Sequence, residues 1–249
     1  MVPRLSYTIW FSQRTGSTLQ CKALEATGIA GKPNEWLLPD NLFESYRLSS
    51  HAELQNHLWS VGSTSNGIFG VKHSYCEPHF SKIIEMLRKF PTCPPHEKNR
   101  AKIWEYAFPN HRHIFMTRRN KVRLAVSWWK AIQSQEWHRP QGTTPRSVDR
   151  SDGYSFDAIN HLYNECSMRE AGIQEFFSEG NITPLTIMYE DFIRQYEQTV
   201  GTTLEYLELD AGSVAVGPPQ LTRTADAVSE EWVQRFRKER QDGWRNRGW

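Results

Sequence analysis

The sequence predicts an α/β fold, a parallel sheet flanked by helices on both faces, built as a single domain over residues 1–249. Three observations predict it. Short runs rich in β-branched and aromatic residues recur along the chain, each leads into a stretch whose apolar residues fall at helical spacing, and a glycine-containing turn joins the first such pair. Strands that alternate with helices return by crossovers, which favour parallel pairing with helices on the two faces. The length suits one large domain. The 10 Trp, 9 Tyr and 12 Phe supply apolar surface for a sizeable core.

Residues 5–11 (LSYTIWF) form the first expected strand, ended by the polar Ser12, Gln13 and Arg14. Leu19, Ala23 and Ala26 then fall at i, i+4 and i+7, and Gly28 stands where a residue past a helix end stops the run, so this helix ends near Thr27. Residues 29–66 carry few periodic signals beyond a turn at Gly31 to Asn34 and read as a loop-rich excursion with short helices. Residues 67–72 (GIFGVK) are the second strand, and Phe80, Ile83, Ile84 and Leu87 mark the buried face of the next helix. After a loop set by Pro91, Pro94 and Pro95, residues 113–117 (HIFMT) form a strand. Val122, Ala125, Val126, Trp129 and Ile132 make the stripe of its helix. Residues 138–154 are polar and aperiodic, a candidate lid. A helix over about 155–179, a strand over 184–189 and a helix through Val200, Leu204 and Leu207 complete the alternation.

Composition excludes several classes of function. Thirty Lys and Arg against 28 Asp and Glu leave +2, too balanced for generic nucleic-acid binding. No stretch approaches the roughly 18 apolar residues of a membrane span, and the N-terminus lacks the pattern of a secretory signal, so a cytoplasmic protein is expected. Cys21, Cys76, Cys93 and Cys166 form no CxxC pair, which argues against a disulfide framework or a redox motif. Cys76 with His79 and Cys93 with His96 have the spacing of ligand pairs, but the prolines already explain the second segment as a loop, and no metal is expected.

The sharpest chemical signal is SQRTGST at 12–18, a glycine loop between strand and helix. Such a loop presents backbone N–H groups and the positive end of a helix dipole to an anion such as phosphate. It is not a Walker A loop, because the lysine that follows the last glycine there is absent here. Arg14 supplies a fixed planar charge, and Thr15, Gly16, Ser17 and Thr18 supply backbone and hydroxyl groups; the bland reading makes Ser17 only a helix cap. Further on, Arg118 or Arg119 with Ser127 can set a guanidinium and a hydroxyl around one phosphate. Basic residues at a helix N-terminus oppose its dipole unless an anion sits there. Tyr189 to Asp191 and the pair Trp128 and Trp129 read as structural.

In the loop at 12–18, TGIAGKPNE at 27–35, GVK at 70–72, residues 118–128, and Arg223-x-Ala-Asp226 before SEEW at 229–232, the chain resembles the sulfotransferases that use 3′-phosphoadenosine 5′-phosphosulfate. Among these it is most similar to the bacterial trehalose sulfotransferase family. The resemblance implies a P-loop nucleotide-kinase-like fold, a transfer without magnesium, and a carbohydrate or glycolipid acceptor. It implies further that the loop at 12–18 holds the 5′-phosphosulfate, that an arginine with Ser127 holds the 3′-phosphate, that Arg223 is among the donor-binding residues, and that Glu35 is the catalytic base. Apart from the resemblance, Glu35 reads as a surface glutamate in a turn. His73, beside Lys72, is the alternate base, and Arg14 and Lys72 are suited to charge developing in the transition state. The excursions at 29–66 and 138–154 would contact the acceptor. A homodimer stays open, as do two other functions: a P-loop kinase with an atypical loop, and a non-catalytic nucleotide-binding module.

Overall fold

The computed structural model of the chain describes residues 1–144 and 153–242. Its strands are β1 (Leu5–Phe11), β2 (Ile68–Ser74), β3 (His111–Thr117) and β4 (Leu185–Met188). In chain order the helices are α1 (Ser17–Ala26), α2 (Leu42–Tyr46), α3 (His51–Gly62), α4 (His79–Leu87), α5 (Arg100–Ala107), α6 (Lys121–Ser134), α7 (Phe156–Gly180), α8 (Tyr189–Phe192), α9 (Tyr196–Tyr206) and α10 (Ala227–Gln241). The four strands pair in the order β2-β1-β3-β4, every pair parallel, as the alternation of strands and helices requires.

Every residue of β1 is buried, so its side chains feed cores on two faces. Tyr7, Ile9 and Phe11 join Ile68, Ile114, Met116 and Ile187 on the face covered by α1 and α9. Trp10 joins Phe69, Val71 and Phe115 on the other face, under α3, α4, α5 and α7. A third cluster packs α6, α7 and α10 together through Leu124, Val126, Leu162, Trp232 and Phe236.

The excursion at 29–66 is more ordered than its sequence suggests. Ser50 caps α3 in a reciprocal box with Glu53, and Leu54, Leu58 and Trp59 of this 12-residue helix are buried in the Trp10 core. Helix α5 was also not expected, because its buried residues interrupt any clean stripe; it contributes Ile103 and Trp104 to the same core. Of the candidate lid, residues 138–144 and 153–154 are described: Pro140 forms an antiparallel bridge with Leu221, and Gln141 N–H donates to the Gln220 carbonyl at 2.9 Å. Residues 145–152 lie outside the described residues.

The C-terminal ends of the two central strands are pinned by one buried-side carboxylate. Ser12 Oγ at the end of β1 donates to Glu170 Oε1 at 2.9 Å, Thr117 Oγ1 at the end of β3 donates to Glu170 Oε2 at 3.0 Å, and Lys121 Nζ lies 2.6 Å from the same group. Helix α7 thereby sets where the loops after β1 and β3 begin.

Around Trp10 the core contains histidines. Trp10 Nε1 donates to His113 Nδ1 at 2.9 Å, Trp104 Nε1 donates to Thr8 Oγ1 at 2.9 Å, and His111 Nε2 lies 2.8 Å from that hydroxyl. Burial pushes His113 and His73 down to about 3, His79 adding to the effect on His73, and pushes His111 well below its ordinary value. These imidazoles are neutral in the fold, whereas in the unfolded chain they take up protons near pH 6.5. The unfolded state therefore binds more protons between about pH 6.5 and 3, and stability falls as pH falls through that window. Urea unfolding measured from pH 7 to pH 5 should show this loss, with a slope of up to about 1.4 kcal/mol per pH unit for each such imidazole. His113→Asn should flatten the slope, and an unchanged slope would remove His113 from the account.

Candidate active site

The loop after β1 bends through two residues in the left-handed region, Arg14 (φ 65°) and Gly16 (φ 83°). At Gly16 a Cβ would lie 2.9 Å from Tyr189 Cδ2, so glycine is needed there for space as well as conformation. Gly16 occupies the cap position of α1 and Ser17 is the first helical residue, so the reading of Ser17 as a mere cap does not hold. Thr15 is buried and its Oγ1 donates to the Ser12 carbonyl at 2.9 Å, which braces the loop from beneath rather than facing outward.

Above the loop, at the C-terminal edge of the sheet, lies a cavity of about 700 Å³. Such crevices are where open parallel sheets bind ligands. Gly16, Ser17, Thr18, Lys72, Arg118 and Ser127 all contribute to its wall. Among the described residues the wall carries eight lysine or arginine side chains and one carboxylate, Glu35.

Two of these cations are deeply placed. Arg14 Nε donates to Ser127 Oγ at 3.0 Å, its Nη2 donates to Thr224 Oγ1 at 3.2 Å, and its Nη1 reaches the Trp137 carbonyl. Arg118 lies over the Tyr189 ring, 4.6 Å from its centroid, with Glu190 3.6 Å away, and its buried Nε has no hydrogen-bond partner among the described residues. Burial lowers both guanidinium pKa values, and the Arg118 charge adds to the effect on Arg14 as that of Arg223 adds to the effect on Arg118. Buried like charges with an unmet donor form a site that an anion would stabilise.

Glu35 reaches this cavity through backbone hydrogen bonds. Residues 31–34 run beside the edge of β2: Lys32 N–H donates to the Gly62 carbonyl at 2.8 Å, Asn34 bridges Val71 in parallel, and Lys72 N–H donates to the Asn34 carbonyl at 2.9 Å. Glu35 Oε2 consequently stands 3.4 Å from Lys72 Nζ. Lys72 Nζ also donates to Thr18 Oγ1 at 3.1 Å and lies 4.7 Å from the Phe11 ring centroid. His138 Nε2 is 3.3 Å from the same Thr18 hydroxyl. Burial, and then the charges of Arg14, Lys72 and Lys22, push His138 down to about 4. The Thr18 hydroxyl thus links the Lys72 ammonium to the His138 imidazole.

Besides Thr15, two expected residues are not on the cavity wall. His73 follows Lys72 on β2, and alternation turns it to the opposite face, where it is 4% exposed and packs against Trp10 and Trp104. Arg119 points outward and forms a two-pronged pair with Asp191 at 2.7 and 2.5 Å. Of the two arginines, Arg118 faces the cavity. The charge expected at the start of α6 is partly supplied by the protein: Glu190 accepts from Arg119 N–H at 3.0 Å and from Asn120 N–H at 3.2 Å. Arg223 lies on the cavity wall.

Sequence reasoning missed Trp128, Trp137, His138, Arg169 and Tyr189, which also line the cavity. Only Tyr189 carried a usable signal, its place at the end of a strand. Cys76 Sγ lies 3.5 Å from Arg169 Nη2, and among the described residues no three metal-ligating groups converge.

A family model described as Stf0 sulphotransferase matches residues 6–239. The trehalose 2-sulfotransferase of Mycolicibacterium smegmatis is 28% identical, the match covering 95% of this chain and 96% of that protein. The trehalose 2-sulfotransferase of Mycobacterium tuberculosis is 26% identical over 94% of both. Among solved structures, a sulfotransferase from Alicyclobacillus acidocaldarius shares the fold, with a TM-score of 0.51 and 13% identity, covering 94% of this chain and 92% of that one.

The segment that delivers Glu35 depends on Gly31, which has φ +73° and where a Cβ would lie 2.9 Å from both Gly70 N and the Ile68 carbonyl. Gly31→Ala should destabilise the fold by about 1–3 kcal/mol, through backbone strain and displacement of the segment from β2. Gly28 has a similar φ, +71°, but nothing within 4 Å of a Cβ. Gly28→Ala should therefore cost less, and urea midpoints of the two variants test the difference.

Proposed function

Because the chain belongs to the Stf0 sulphotransferase family, we propose that it moves a sulfuryl group from 3′-phosphoadenosine 5′-phosphosulfate to a hydroxyl of a carbohydrate or glycolipid acceptor. The relatives named as trehalose 2-sulfotransferases favour an acceptor of the disaccharide type. The observation that carries the reading is the wall of the cavity: the half-buried Arg14 and the buried Arg118 flank a glycine loop on one side, and Glu35, the one carboxylate on the wall among the described residues, stands beside Lys72 on the other.

The residues present fit this donor. Gly16, in the left-handed region, lets the loop turn into the N-terminus of α1 beneath Tyr189, and Arg14, Ser17 and Thr18 line the cavity at that point, so these groups take the 5′-phosphosulfate. Arg118, with its unmet Nε, together with Ser127 and Arg223 takes the 3′-phosphate. Glu35 accepts the proton of the acceptor hydroxyl as its oxygen forms the new bond to sulfur. The bond from sulfur to the bridging phosphate oxygen breaks in the same step, and the charge left on that oxygen is met by Arg14 and Lys72. These fixed cations do the work that a divalent ion does in phosphoryl transfer by kinases. His73, enclosed in the Trp10 core, has no path to the acceptor.

Adenosine 3′,5′-bisphosphate should bind more tightly than AMP, because charge-assisted contacts to the 3′-phosphate are worth about 1.5–3 kcal/mol, or roughly ten- to a hundredfold. Arg118→Ala should abolish most of that preference and Arg119→Ala should leave it intact. Calorimetry that finds the reverse pattern would reassign the 3′-phosphate site.

Glu35→Gln keeps the size of the side chain and removes its ability to take a proton. Turnover should fall by roughly 10²- to 10⁴-fold while bisphosphate affinity persists. Single-turnover transfer to a panel of disaccharides and glycolipids reads this directly, with His73→Gln as the comparison. A normal rate in Glu35→Gln would falsify the assignment of the base.

A further inference from the structure

Lys130 is a charged residue of α6 that neither proton transfer nor the phosphate contacts use. Its side chain is 7% exposed, and an ammonium group is costly to bury unless it is paired and hydrogen-bonded. Its Nζ lies 2.6 Å from Asp226 Oδ1, and it donates to Ser229 Oγ at 2.9 Å and to the Thr224 carbonyl at 3.1 Å. These acceptors belong to one short stretch, the end of the segment 219–226 and the first turn of α10. Asp226 caps α10, accepting from Ser229 N–H at 3.0 Å and from Ser229 Oγ at 2.8 Å. Burial opposes the charged form of Asp226, but hydrogen bonds from Lys130 and Ser229 outweigh it and hold the carboxyl at about 2. The carboxylate is therefore ionised at neutral pH.

The segment it anchors contains no helix or strand. Residues 219–226 are held near Leu221 by its bridge to Pro140, by Thr222 N–H donating to the Arg139 carbonyl at 2.8 Å, by Gln141 N–H donating to the Gln220 carbonyl at 2.9 Å and by Thr222 Oγ1 donating to Gln141 Oε1 at 2.6 Å, and past Arg223 by Arg14 Nη2 donating to Thr224 Oγ1 at 3.2 Å and by the Lys130 contacts. This segment nevertheless carries Arg223 to the cavity wall, close enough to Arg118 for its charge to lower the Arg118 pKa. Two guanidinium groups facing one space repel, and that repulsion pushes the segment outward unless both of its ends are held. Lys130 resists that movement from the rigid side, being held in the same helix as Ser127.

We propose that Lys130 is a positioning residue for the donor: through Asp226, Ser229 and Thr224 it fixes the segment 219–226 so that Arg223 stands beside Arg118 before the 3′-phosphate arrives. The site is then organised in advance, and binding does not have to order the segment. This rests on the donor reading given above.

Calorimetric titration of adenosine 3′,5′-bisphosphate and of AMP into the full-length protein tests it. Lys130→Met should bind the bisphosphate about tenfold more weakly while AMP affinity changes by less than about twofold. Asp226→Asn should act in the same direction. Arg223→Gln should show a similar selective loss, and the Lys130→Met, Arg223→Gln double variant should lose no more than Arg223→Gln alone, because both act on one contact. The proposal is overturned if Lys130→Met keeps the preference, if both nucleotides weaken equally, as a merely structural role requires, or if the two losses multiply. Should Lys130→Met fail to fold, Asp226→Asn is judged by the same criteria, its side chain being 47% exposed. A wild-type protein that does not prefer the bisphosphate overturns the donor reading, and this inference with it. A preference shared by wild type and variants overturns the inference alone.

Discussion

Arg14 ties together three segments that enclose the cavity. Its guanidinium reaches Ser127 on α6, the Trp137 carbonyl beyond the end of that helix, and Thr224 in the segment before α10. The residue sits in the left-handed region, at φ 65°, where a side chain other than glycine costs about 1–3 kcal/mol and persists only if its surroundings over-determine it. The hydrogen bonds to three separate segments provide that determination. They in turn require the β1 loop to start at a fixed point, which the Glu170 clamp on Ser12 and Thr117 provides. The sheet, α7 and the loop arginine thus form one mechanical chain.

The near-balance of charge conceals a radial separation. The cavity wall is cationic, whereas several of its cations are paired with carboxylates that do not line it: Arg123 with Glu230 at 2.5 Å, Arg139 with Glu136 at 2.7 Å, Arg169 with Glu165 at 2.7 Å and Lys130 with Asp226 at 2.6 Å. Each carboxylate offsets the cost of holding its cation in place without entering the cavity, Glu35 being the one that does. Such an arrangement keeps an inward-facing positive potential in a protein of net charge +2.

What the sequence made legible was local. The strand Leu5–Phe11 and the glycine loop after it are read from adjacent residues, and the structure reproduces the strand with those bounds. The choice between Arg118 and Arg119 was not legible, because it depends on Asp191 and Tyr189, some seventy residues along the chain and adjacent only once β4 pairs with β3. The placing of His73 was hidden for another reason: the expected strand ends at Lys72, whereas β2 runs on to Ser74, so alternation turns His73 away from the face that Lys72 takes. Helix α3 was legible at its start, in the Ser50 and Glu53 box, whereas the Glu170 clamp joins residues 158 positions apart.

The two sides of the cavity are built by different means. On the β1 and β3 side, cations are held by side-chain contacts with α6, α7 and the segment before α10. On the β2 side, Glu35 is held by the backbone, since the Asn34 carbonyl accepts from Lys72 N–H and Asn34 adds itself to the edge of the sheet. An edge strand needs covering in any case, and here the cover brings a carboxylate within 3.4 Å of a strand-end lysine. The contacts that fix Glu35 lie in residues 31–34, in β2 and in Trp36, whose indole donates to the Lys32 carbonyl at 3.0 Å and to the Gly70 carbonyl at 3.2 Å, while Leu38, 59% exposed, lines the cavity just beyond them. A change of the Leu38 side chain can therefore alter what surrounds the carboxylate without breaking those bonds, which separates the part of the excursion that positions a group from the part that meets whatever approaches it.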